Sequence, residues 1–236
     1  MLSVIIATFN RSNVLRENLD CFMKQTDKDF EIVVGIDGST DNTIDMLKNY
    51  KADFPIRWVD SGETNKYCLA KVRNMALIET RGKAVVILDD DSFPTPEFVS
   101  AHKSSVKPKT LTGGYRNSHD PRDPMHAKMA RYLSTYGSLN PVKMNEILVE
   151  NNCCMLRKDW IGSGMFSERF EGYGGGGQEF FLRLIHQGFD YQFNPKAMIF
   201  HHKEFEGDNG LTRPMKMEQA REMSKLINKH VWSYNG

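Results

Sequence analysis

The amino-acid sequence predicts an α/β protein whose central sheet is mostly parallel and flanked by helices, with a helical extension at the C-terminus. Short, β-branched apolar segments, such as SVIIATF and AVVIL, have the composition of strands that are buried on both faces. Between these segments, apolar residues recur at helical spacing. Such an alternation of strands and helices is typical of a parallel sheet covered by helices.

The first hundred residues contain four predicted strands. In chain order, the predicted elements are strand SVIIATF, a helix with Leu15, Leu19, Phe22 and Met23 on its apolar face, strand FEIVVGI, a helix with Ile44, Leu47 and Tyr50, strand IRWV, a helix over residues 66–80, and strand AVVIL. Polar turns such as DGSTDNT, which also offers a helix N-cap, follow the strands. We therefore expect these polar clusters at the carboxyl edge of the sheet, where ligands bind in such folds.

The second half of the chain is less regular. In chain order, it is predicted to contain a loop at 113–125, a short helix at 126–136, strand ILVENNCCMLR, the glycine-rich loop GSGMFSERFEGYGGGG, a helix from about Gln178 to Gln187, strands FDYQF and AMIFHH, and an amphipathic helix from Pro214 to His230. Because the sequence shows no internal repeat and no low-complexity linker, we expect one domain over residues 1–210, with halves 1–105 and 106–210, and a helical tail at 211–236.

The composition is that of an ordinary globular protein, with 40% hydrophobic and 26% charged residues. A formal net charge of +1 provides no overall attraction for nucleic acid, so no nucleic-acid partner is expected. The four cysteines form no C-x-x-C pair and are too few for a disulfide framework, which favours a cytoplasmic location. No apolar run is long enough to predict a transmembrane span, which leaves peripheral association with a membrane surface open.

Three adjacent aspartates, Asp89, Asp90 and Asp91, directly follow the strand AVVIL. Their mutual repulsion beside a buried strand requires a compensating cation or hydrogen bonds. Hard carboxylate oxygens suit Mg²⁺ or Mn²⁺, usually with water and substrate phosphates completing the shell. In extended backbone, Asp89 and Asp91 would share one face while Asp90 points away. The alternative is a polar turn in which Asp91 or Ser92 caps the next helix.

Polar residues also follow the first two strands. Asp37 and Gly38 end the second strand, where free N–H groups of the next helix could meet an anion or a polar base. A well-capped helix start is the simpler alternative for this turn. Thr8, Phe9 and Asn10 end the first strand. Phe9 could stack on a nucleobase or could equally be a core residue.

Two further features lie nearer the C-terminus. His201 and His202 follow an apolar strand, and a neutral imidazole is a common ligand of Mn²⁺-type ions. A surface histidine pair alone does not indicate a metal site. The pair becomes a candidate for metal binding only because the acidic triplet is present elsewhere in the chain. Four glycines, Gly174–Gly177, precede Gln178 and Glu179 at a predicted helix start.

The glycine-rich segment has two interpretations. It could be a mobile loop that covers a substrate and delivers a carboxylate base, with Glu168, Glu171 and Glu179 as candidates. It could also be a flexible loop followed by an acid that the helix dipole favours. The sequence has no P-loop, no G-x-G-x-x-G after the first strand and no G-x-S-x-G elbow. Kinase, dinucleotide-dependent oxidoreductase and α/β-hydrolase interpretations therefore lose support.

Taken together and in this order, these stretches resemble the family 2 glycosyltransferases, which have the GT-A (Rossmann-like) fold. SVIIATFNR is similar to that family's opening strand, and EIVVGIDGSTDNT to its EIIVVDDGSTDGT. KVRNMALIETRGKAVVILDDDSFPTPEF resembles the stretch that carries the family's DxD motif. NNCCMLRKDWIGSGMFSERFEGYG resembles an acceptor-side segment of the galactosyltransferase and chondroitin-synthase type. The resemblance extends from residue 2 to about residue 202.

The resemblance implies a role for each matching residue. Residues 1–105 would bind the nucleotide sugar, and residues 106–210 the acceptor. The implied donor contacts are Ala7, Phe9, Asn10, Asp37, Gly38, Arg73, Asp89 and Asp90. The implied metal ligands are Asp91 and His201, with His202 as a substitute. The implied acceptor-side residues are Asn152, Glu171, Tyr173, Gly174 and Gln178.

The family's general base can be aligned in two ways, because its GGED…L..RL stretch is replaced here by GGGGQEFFLRL. Alignment on the dipeptide puts Glu179 at the catalytic position. Counting back from Arg183 instead puts Gly176 and Gly177 at the Glu-Asp positions. We take Glu179 as the predicted base. A smaller departure is Ile36, which replaces the first acid of the family's acidic pair.

The resemblance implies a metal-dependent, inverting glycosyltransferase that uses Mn²⁺ or Mg²⁺. It would move a sugar from a nucleotide-diphosphate donor, most simply a UDP-sugar, to a hydroxyl of a glycan, a protein or another acceptor. One alternative is a nucleotidyltransferase, although ATFNRSN lacks the glycine- and lysine-rich triphosphate loop that it would need. The other alternative is an inactive module that binds sugar nucleotides.

Overall fold

The structure, a computed structural model, describes residues 1–118, 150–201, 214, 215, 217–223 and 225. The strands are β1 Leu2–Thr8, β2 Phe30–Ile36, β3 Ile56–Asp60, β4 Ala84–Asp89, β5 Ser92–Pro94, β6 Thr110–Ser118, β7 Cys153–Leu156 and β8 Asp190–His201. The helices are α1 Ser12–Phe22, α2 Thr43–Asn49, α3 Leu69–Glu79, α4 Phe98–Ser105, α5 Arg157–Gly162 and α6 Gly176–His186. The described residues from 214 to 225 are also helical. No helix in these ranges is long and apolar enough to cross a membrane.

Four strands on one side of the central sheet are parallel, in the order β3-β2-β1-β4. All residues of β1 and β2 are buried, which their β-branched, apolar composition permits. The register pairs Thr8 with Ile36 and Ala7 with Asp89. The carboxyl ends of β1, β2 and β4 therefore lie side by side.

The other side of the sheet is mixed, in the order β4-β7-β6-β8-β5. β7 is antiparallel to β4 and β6, β6 is parallel to β8, and β5 is antiparallel to β8. The β5–β8 register pairs Ser92 with His201. This pairing brings the end of β8 next to the residue that follows the acidic triplet. The predicted parallel sheet is confirmed for the first four strands, and antiparallel pairs extend it.

Several elements of the second half differ from the prediction. Residues 113–118, predicted as part of a loop, belong to β6, and the predicted helix at 126–136 lies outside the described residues. The two predicted strands FDYQF and AMIFHH form the single strand β8. Pro195 fits within it because the β6–β8 register shifts between Gly114 and Tyr115. A residue without an N–H is tolerated where the ladder is interrupted.

Two hydrophobic clusters cover the two faces of the sheet. Along β1, Ile6 packs into one cluster and Ile5 into the other, because side chains alternate along a strand. The second cluster joins α3, α5 and α6. In it, Trp160 stacks on Phe180 with 5.0 Å between ring centroids, and its Nε1 donates to the carbonyl of Val85 at 2.9 Å. These contacts determine the rotation of α6 about its axis, and hence where its polar side chains point.

Candidate functional site

A cavity of about 800 Å³ opens at the carboxyl edge of β1, β2 and β4, the edge where the sequence predicts a site. Of the candidate functional residues named from the sequence, those that line it are Ala7, Thr8, Phe9, Asp37, Arg73, Asp89, Asp90, Asp91, Glu171, Tyr173, Gly174, Gly176, Gly177 and His201. Those that lie outside its wall are Asn10, Gly38, Asn152, Glu168, Gly175, Gln178 and Glu179. The parallel register therefore brings together most of the residues at strand ends, and fewer of those from the second half.

Asp89, the last residue of β4, is held by an arginine from α3. Nη2 of Arg73 donates to Oδ1 of Asp89 at 2.6 Å, and the arginine side chain is only 4% exposed. The backbone N–H of Asp89 donates to Oδ1 of Asn151 at 3.1 Å. A buried guanidinium without a carboxylate would be strongly unfavourable, so Arg73 and Asp89 hold each other in place.

Asp90 and Asp91 turn toward a second arginine. Nη1 of Arg11 lies 3.2 Å from Oδ1 of Asp90 and 3.3 Å from Oδ2 of Asp91. Thr8 Oγ1 donates to the other oxygen of Asp90 at 2.7 Å. The expectation that Asp90 points away from its neighbour is wrong, because β4 ends at Asp89 and the alternation of an extended strand ends with it. The capping alternative also fails, since α4 begins well beyond the triplet.

Protein groups compensate the charge of the triplet only in part. Burial and the neighbouring carboxylates, opposed by Arg11, raise the pKa of Asp90 to about 7 and that of Asp91 to about 6. Oδ1 of Asp91 is buried and has no hydrogen-bond partner among the described residues. A buried carboxylate oxygen in this state is costly unless a cation or a ligand reaches it.

His201 lies beside this oxygen. Its Nε2 is 3.6 Å from Oδ1 of Asp91, because the pairing with Ser92 carries the end of β8 to the triplet. A carboxylate and an imidazole fit Mg²⁺ or Mn²⁺ if water and substrate oxygens complete the shell. Such completion would be needed, since no three His, Cys, Asp or Glu side chains of the described ranges are grouped to hold an ion. His202, the substitute ligand, lies outside those ranges.

Asp37, at the end of β2, is a buried acid in the cavity wall. Both of its carboxylate oxygens accept the backbone N–H of Cys68, at 2.9 and 3.1 Å. Burial outweighs these bonds and raises the pKa of Asp37 to about 6. The group can therefore accept or donate a hydrogen bond near neutral pH.

Two predicted donor contacts, Asn10 and Gly38, shape the turns behind the wall. Oδ1 of Asn10 accepts from the backbone N–H of Thr40 at 2.7 Å and of Asp41 at 3.3 Å, which ties together the loops after β1 and β2. Gly38 has a φ of +66°, and a Cβ there would lie 2.5 Å from the carbonyl carbon of Glu63. Both residues are therefore needed by the local backbone, and neither lines the cavity.

The predicted acceptor-side residue Asn152 lies in the core, and Asn151 lines the cavity instead. Asn152 is 1% exposed; its Oδ1 lies 2.8 Å from Nε2 of His102, and its Nδ2 donates to the carbonyl of Ala197 at 3.0 Å. Asn151 donates from Nδ2 to Oγ of Ser92 at 2.7 Å. The motif NNCC does not distinguish the two, because both precede β7 and Asn152 has a φ of +74°, so the backbone there departs from the alternation of a strand.

Glu179, the predicted general base, points away from the cavity into a buried ion pair. Nε and Nη2 of Arg183, one helical turn later, donate to its two oxygens at 2.8 and 3.0 Å, and Glu179 is 3% exposed. The same guanidinium donates to the carbonyls of Ser163 and Met165. Glu179 therefore anchors the loop between α5 and α6 and is not available to a substrate in the cavity.

The other polar residues predicted near the glycine-rich segment divide between the cavity and its surroundings. Glu171 lines the cavity together with Tyr173 and Gly174. Glu168 accepts a hydrogen bond from an asparagine of α3 at 2.9 Å, and Gln178 is exposed on α6. Glu168 and Gln178 both lie outside the cavity wall.

Functional side chains that the sequence analysis misses include Arg11, Arg116, Glu150 and Gln219, all of which line the cavity. Arg11 stands three residues after the end of β1, so a search for a cation at the same sheet edge as the triplet could have found it. Arg116 on β6, Glu150 before β7 and Gln219 in the C-terminal helix come from segments without a local signal. Their positions depend on long-range packing.

The C-terminal helical residues pack on the glycine-rich segment. Oε1 of Gln219 accepts a hydrogen bond from the backbone N–H of Tyr173 at 2.8 Å. Gly175 has a φ of +80°, and a Cβ there would lie 2.7 Å from Cβ of Met223. Glycine is therefore required at this point both for a left-handed backbone and for close approach of the helix.

The chain resembles known proteins in sequence. Residues 3–161 match the model of a family described as Glycosyl transferase family 2. The chain is 25% identical over 236 residues to chondroitin synthase from Escherichia coli, in an alignment that covers 85% of this chain and 34% of that protein. It thus spans about a third of the length of this curated relative.

Solved structures share the fold. TarS from S. aureus in complex with UDP-GlcNAc gives a TM-score of 0.70 at 19% identity, over 96% of this chain and 65% of that one. A mannosyltransferase from Pyrobaculum calidifontis in complex with GDP-Man and Mn²⁺ gives 0.66 at 22% identity, over 89% of this chain and 59% of that one. These likenesses confirm the GT-A fold predicted from the sequence. The family model matches residues 3–161, which make up more than half of this chain, and the chain therefore belongs to glycosyl transferase family 2.

Proposed function

We propose that this protein is a glycosyltransferase that requires a divalent metal ion. It moves a sugar, with inversion at the anomeric carbon, from a nucleotide-diphosphate donor to an acceptor hydroxyl. The observation that carries the proposal lies in the acidic triplet, where a buried oxygen of Asp91 has no hydrogen-bond partner among the described residues and His201 is 3.6 Å away. Family membership favours glycosyl transfer over nucleotidyl transfer.

A UDP-sugar is the donor that the site supports best. The cavity volume of about 800 Å³ falls in the usual range of small-ligand pockets, roughly 300–1,000 Å³. Phe9 offers a ring on which a base can stack, and the buried carboxyl group of Asp37 can bond to the polar edge of that base. TarS, which is similar in fold, is crystallised with UDP-GlcNAc, and this supports uridine as the nucleoside.

The diphosphate end of the donor would lie at the triplet. Asp91 and His201 would hold the ion, which supplies positive charge against the departing diphosphate. Arg11 already restrains Asp90 and Asp91 in one orientation, so binding energy is not needed to order them. A structural neighbour crystallised with Mn²⁺ supports manganese as the ion.

We assign donor binding to residues 1–105 and acceptor binding to residues 106–210, with residues 211–236 as a helical tail. The contact of Gln219 with Tyr173 supports a tail that packs beside the acceptor half. An acceptor hydroxyl must lose a proton as its oxygen attacks the anomeric carbon. Since Glu179 is paired with Arg183 and lies outside the cavity, the proton would pass to a carboxylate that lines the cavity.

A cytoplasmic location is part of the proposal. None of the four cysteines, Cys21, Cys68, Cys153 and Cys154, forms a disulfide. Cysteines outside disulfides persist most readily in a reducing compartment.

A thermal-shift screen of nucleotide sugars, with and without Mn²⁺, tests the proposal. At 100 times its Kd, a ligand stabilises the folded state by about 2.7 kcal/mol. For a protein of this size, that corresponds to a rise in Tm of roughly 5–10 °C. We expect this rise with a UDP-sugar and Mn²⁺ together, and a much smaller rise with either one alone.

Product analysis separates the proposal from its alternatives. Transfer should release UDP and form a glycoside whose anomeric configuration, read by NMR, is opposite to that of the donor. Release of pyrophosphate from a nucleoside triphosphate would instead indicate a nucleotidyltransferase. Donor binding without transfer or hydrolysis, across a broad acceptor panel, would indicate an inactive binding module. If no nucleotide stabilised the protein, the proposal would be refuted.

A further inference from the structure

Glu150 places a carboxylate at the first turn of α6. A Cβ built on Gly177, the second residue of that helix, would lie 2.5 Å from Cδ and 2.9 Å from Oε1 of Glu150. Gly177 is buried, and the glutamate occupies the space into which a side chain at this position would project. The carboxylate of Glu150 therefore occupies the space that the side chain of an acid at position 177 of α6 would occupy.

This carboxylate belongs to the cavity. Glu150 and Gly177 both line it, as do Arg73 and Asp89. The residue after Glu150, Asn151, accepts the backbone N–H of Asp89 at 3.1 Å, which brings this segment to the Arg73–Asp89 pair. In keeping with this position, burial lowers the pKa of Arg73, and the charges of Asp89 and then of Glu150 raise it. Glu150 is therefore near the end of the cavity that holds the acidic triplet.

Glu150 is also available to a substrate. Its half-buried side chain makes no hydrogen bond or ion pair with the described residues. Asp89–Asp91 are bonded to arginines, and Glu179 is enclosed in its ion pair. Glu171 lines the cavity but is exposed, so water solvates it more strongly.

Helix geometry explains why Glu150 rather than Glu179 reaches the cavity. At 3.6 residues per turn, residues two apart on a helix point about 200° apart around its axis. Gly177 faces the cavity, so Glu179 faces nearly the opposite way. The α6 residues that line the cavity in this first turn, Gly176 and Gly177, carry no side chain, so an acid here must come from another segment, and Glu150 supplies it.

We propose that Glu150 is the general base of the reaction, an inference that rests on the proposed glycosyl transfer. As the acceptor oxygen forms its bond to the anomeric carbon, the hydroxyl proton passes to a carboxylate oxygen of Glu150. The bond from the anomeric carbon to the phosphate oxygen breaks, and its electron pair leaves with the nucleoside diphosphate. One proton gained by the carboxylate balances the negative charge gained by the diphosphate.

The first test compares Glu150→Gln with the wild-type chain, using the nucleotide sugar and Mn²⁺ that give the largest thermal shift. Glutamine keeps the size of the side chain and removes its basicity. A general base contributes about 10²–10⁴-fold to the rate, so we expect kcat to fall by at least about 100-fold. The rise in Tm caused by the donor should stay unchanged. Glu97→Gln, which alters an exposed acid outside the cavity, is the matched control and should keep the full rate.

Relocating the carboxylate gives a sharper experiment. Glu150→Ala opens the space beside Gly177, and Gly177→Asp then returns a carboxylate to that space from α6. We expect the double variant to recover at least about tenfold in kcat over Glu150→Ala, because general-base catalysis is restored. Gly177→Asp alone should lose activity, since its side chain collides with Glu150.

The outcomes are distinguishable. If the wild-type chain binds no nucleotide sugar and transfers none, the proposed function fails and the inference fails with it. If the wild-type chain transfers sugar and Glu150→Gln does so at a similar rate, or loses donor binding in step with the rate, Glu150 is not the base. The assignment is also overturned if Gly177→Asp brings no recovery to Glu150→Ala while both variants fold and bind donor normally.

Discussion

The end of β4 and the start of α6 each carry an acid that the sequence singles out, and the structure uses these acids in opposite ways. Asp91 faces the cavity with an oxygen that has no hydrogen-bond partner among the described residues, and His201 lies beside it. Glu179 is enclosed by Arg183, which also bonds to the loop between α5 and α6. One acid lines the cavity, and the other is enclosed in an ion pair within the fold.

The two regions differ in what determines the direction of a side chain. A residue that ends a strand of a parallel sheet lies at the carboxyl edge, because register with the neighbouring strands positions it. The direction of a side chain in the first turn of a helix depends on which face of that helix packs against the core. In α6 that face is determined by Phe180 against Trp160. Acids at strand ends are therefore easier to assign from sequence than acids at helix starts.

The largest expected effect comes from breaking the ion pair of α6. Glu179→Ala leaves Arg183 buried without a carboxylate, so we expect the free energy of unfolding to fall by about 3–5 kcal/mol. Urea denaturation measures this loss. Asp45→Ala is the control, because the exposed pair of Asp45 with Lys48 contributes less than about 1 kcal/mol. If Glu179→Ala lost sugar transfer but kept its stability, Glu179 would have a role in the reaction and not in stabilising the fold.

The matching change at β4 should affect activity more than stability. Asp91→Asn replaces the proposed metal ligand by a neutral amide, so we expect kcat/KM to fall by at least about 100-fold, equivalent to about 2.7 kcal/mol. Steady-state kinetics over a Mn²⁺ titration measure the effect. Asp53→Asn, which alters an exposed acid paired with Lys28, serves as the control. If Asp91→Asn kept full metal-dependent transfer, Asp91 would not be a metal ligand and the triplet would be only a polar turn.

Asp37 lies at the end of a second strand, β2, and its role can be tested through the pH dependence of the free energy of unfolding. Burial raises its pKa in the folded protein to about 6, from 3.8. Its favourable contribution is therefore fully present below pH 3.8 and is lost as the pH rises through about 6. Asp37→Asn avoids this loss, so we expect the variant to gain roughly 2 kcal/mol relative to the wild-type chain between pH 4 and pH 7. Denaturation curves at several pH values measure it, and a pH-independent difference would assign Asp37 an ordinary pKa.

The smallest expected effect concerns the C-terminal helical residues, which contact the glycine-rich segment that precedes α6. Gln219→Ala removes the hydrogen bond to the backbone N–H of Tyr173, a loss of about 1 kcal/mol or less. We expect faster hydrogen exchange at the Tyr173 amide, with Glu218→Ala, at an exposed neighbouring position, as the control. Equal exchange in both variants would mean that the tail does not protect this wall of the cavity.

Much of the cavity wall formed by the ends of β1, β2 and β4 could be predicted from local sequence. The strands β1 to β4 lie where the β-branched runs predict them, because strands buried on both faces need that composition. The polar turns after these strands contain Asp37 and the acidic triplet, which line the cavity. Arg11 escaped prediction because the two acids it bridges lie 79 and 80 residues further along the chain.

The second half was less predictable where long-range register decides the outcome. Asn151 and Asn152 are adjacent and chemically identical, and only the turn of the backbone before β7 sends one to the cavity and the other to the core. The sequence predicts two strands, FDYQF and AMIFHH, and the shift in the β6–β8 register lets one strand run through the proline between them. Such features have no signal within a window of a few residues.

By itself, the sequence determined which segments of residues 1–89 become strands and helices and which polar residues stand at the ends of those strands. Periodicity, composition and turn residues are local properties, so they can be read without the fold. Only the tertiary structure decided which acids share the cavity. Glu179 pairs with Arg183, and Glu150 fills the space beside Gly177. These choices follow from strand register and helix rotation, which depend on close packing between residues far apart in the chain.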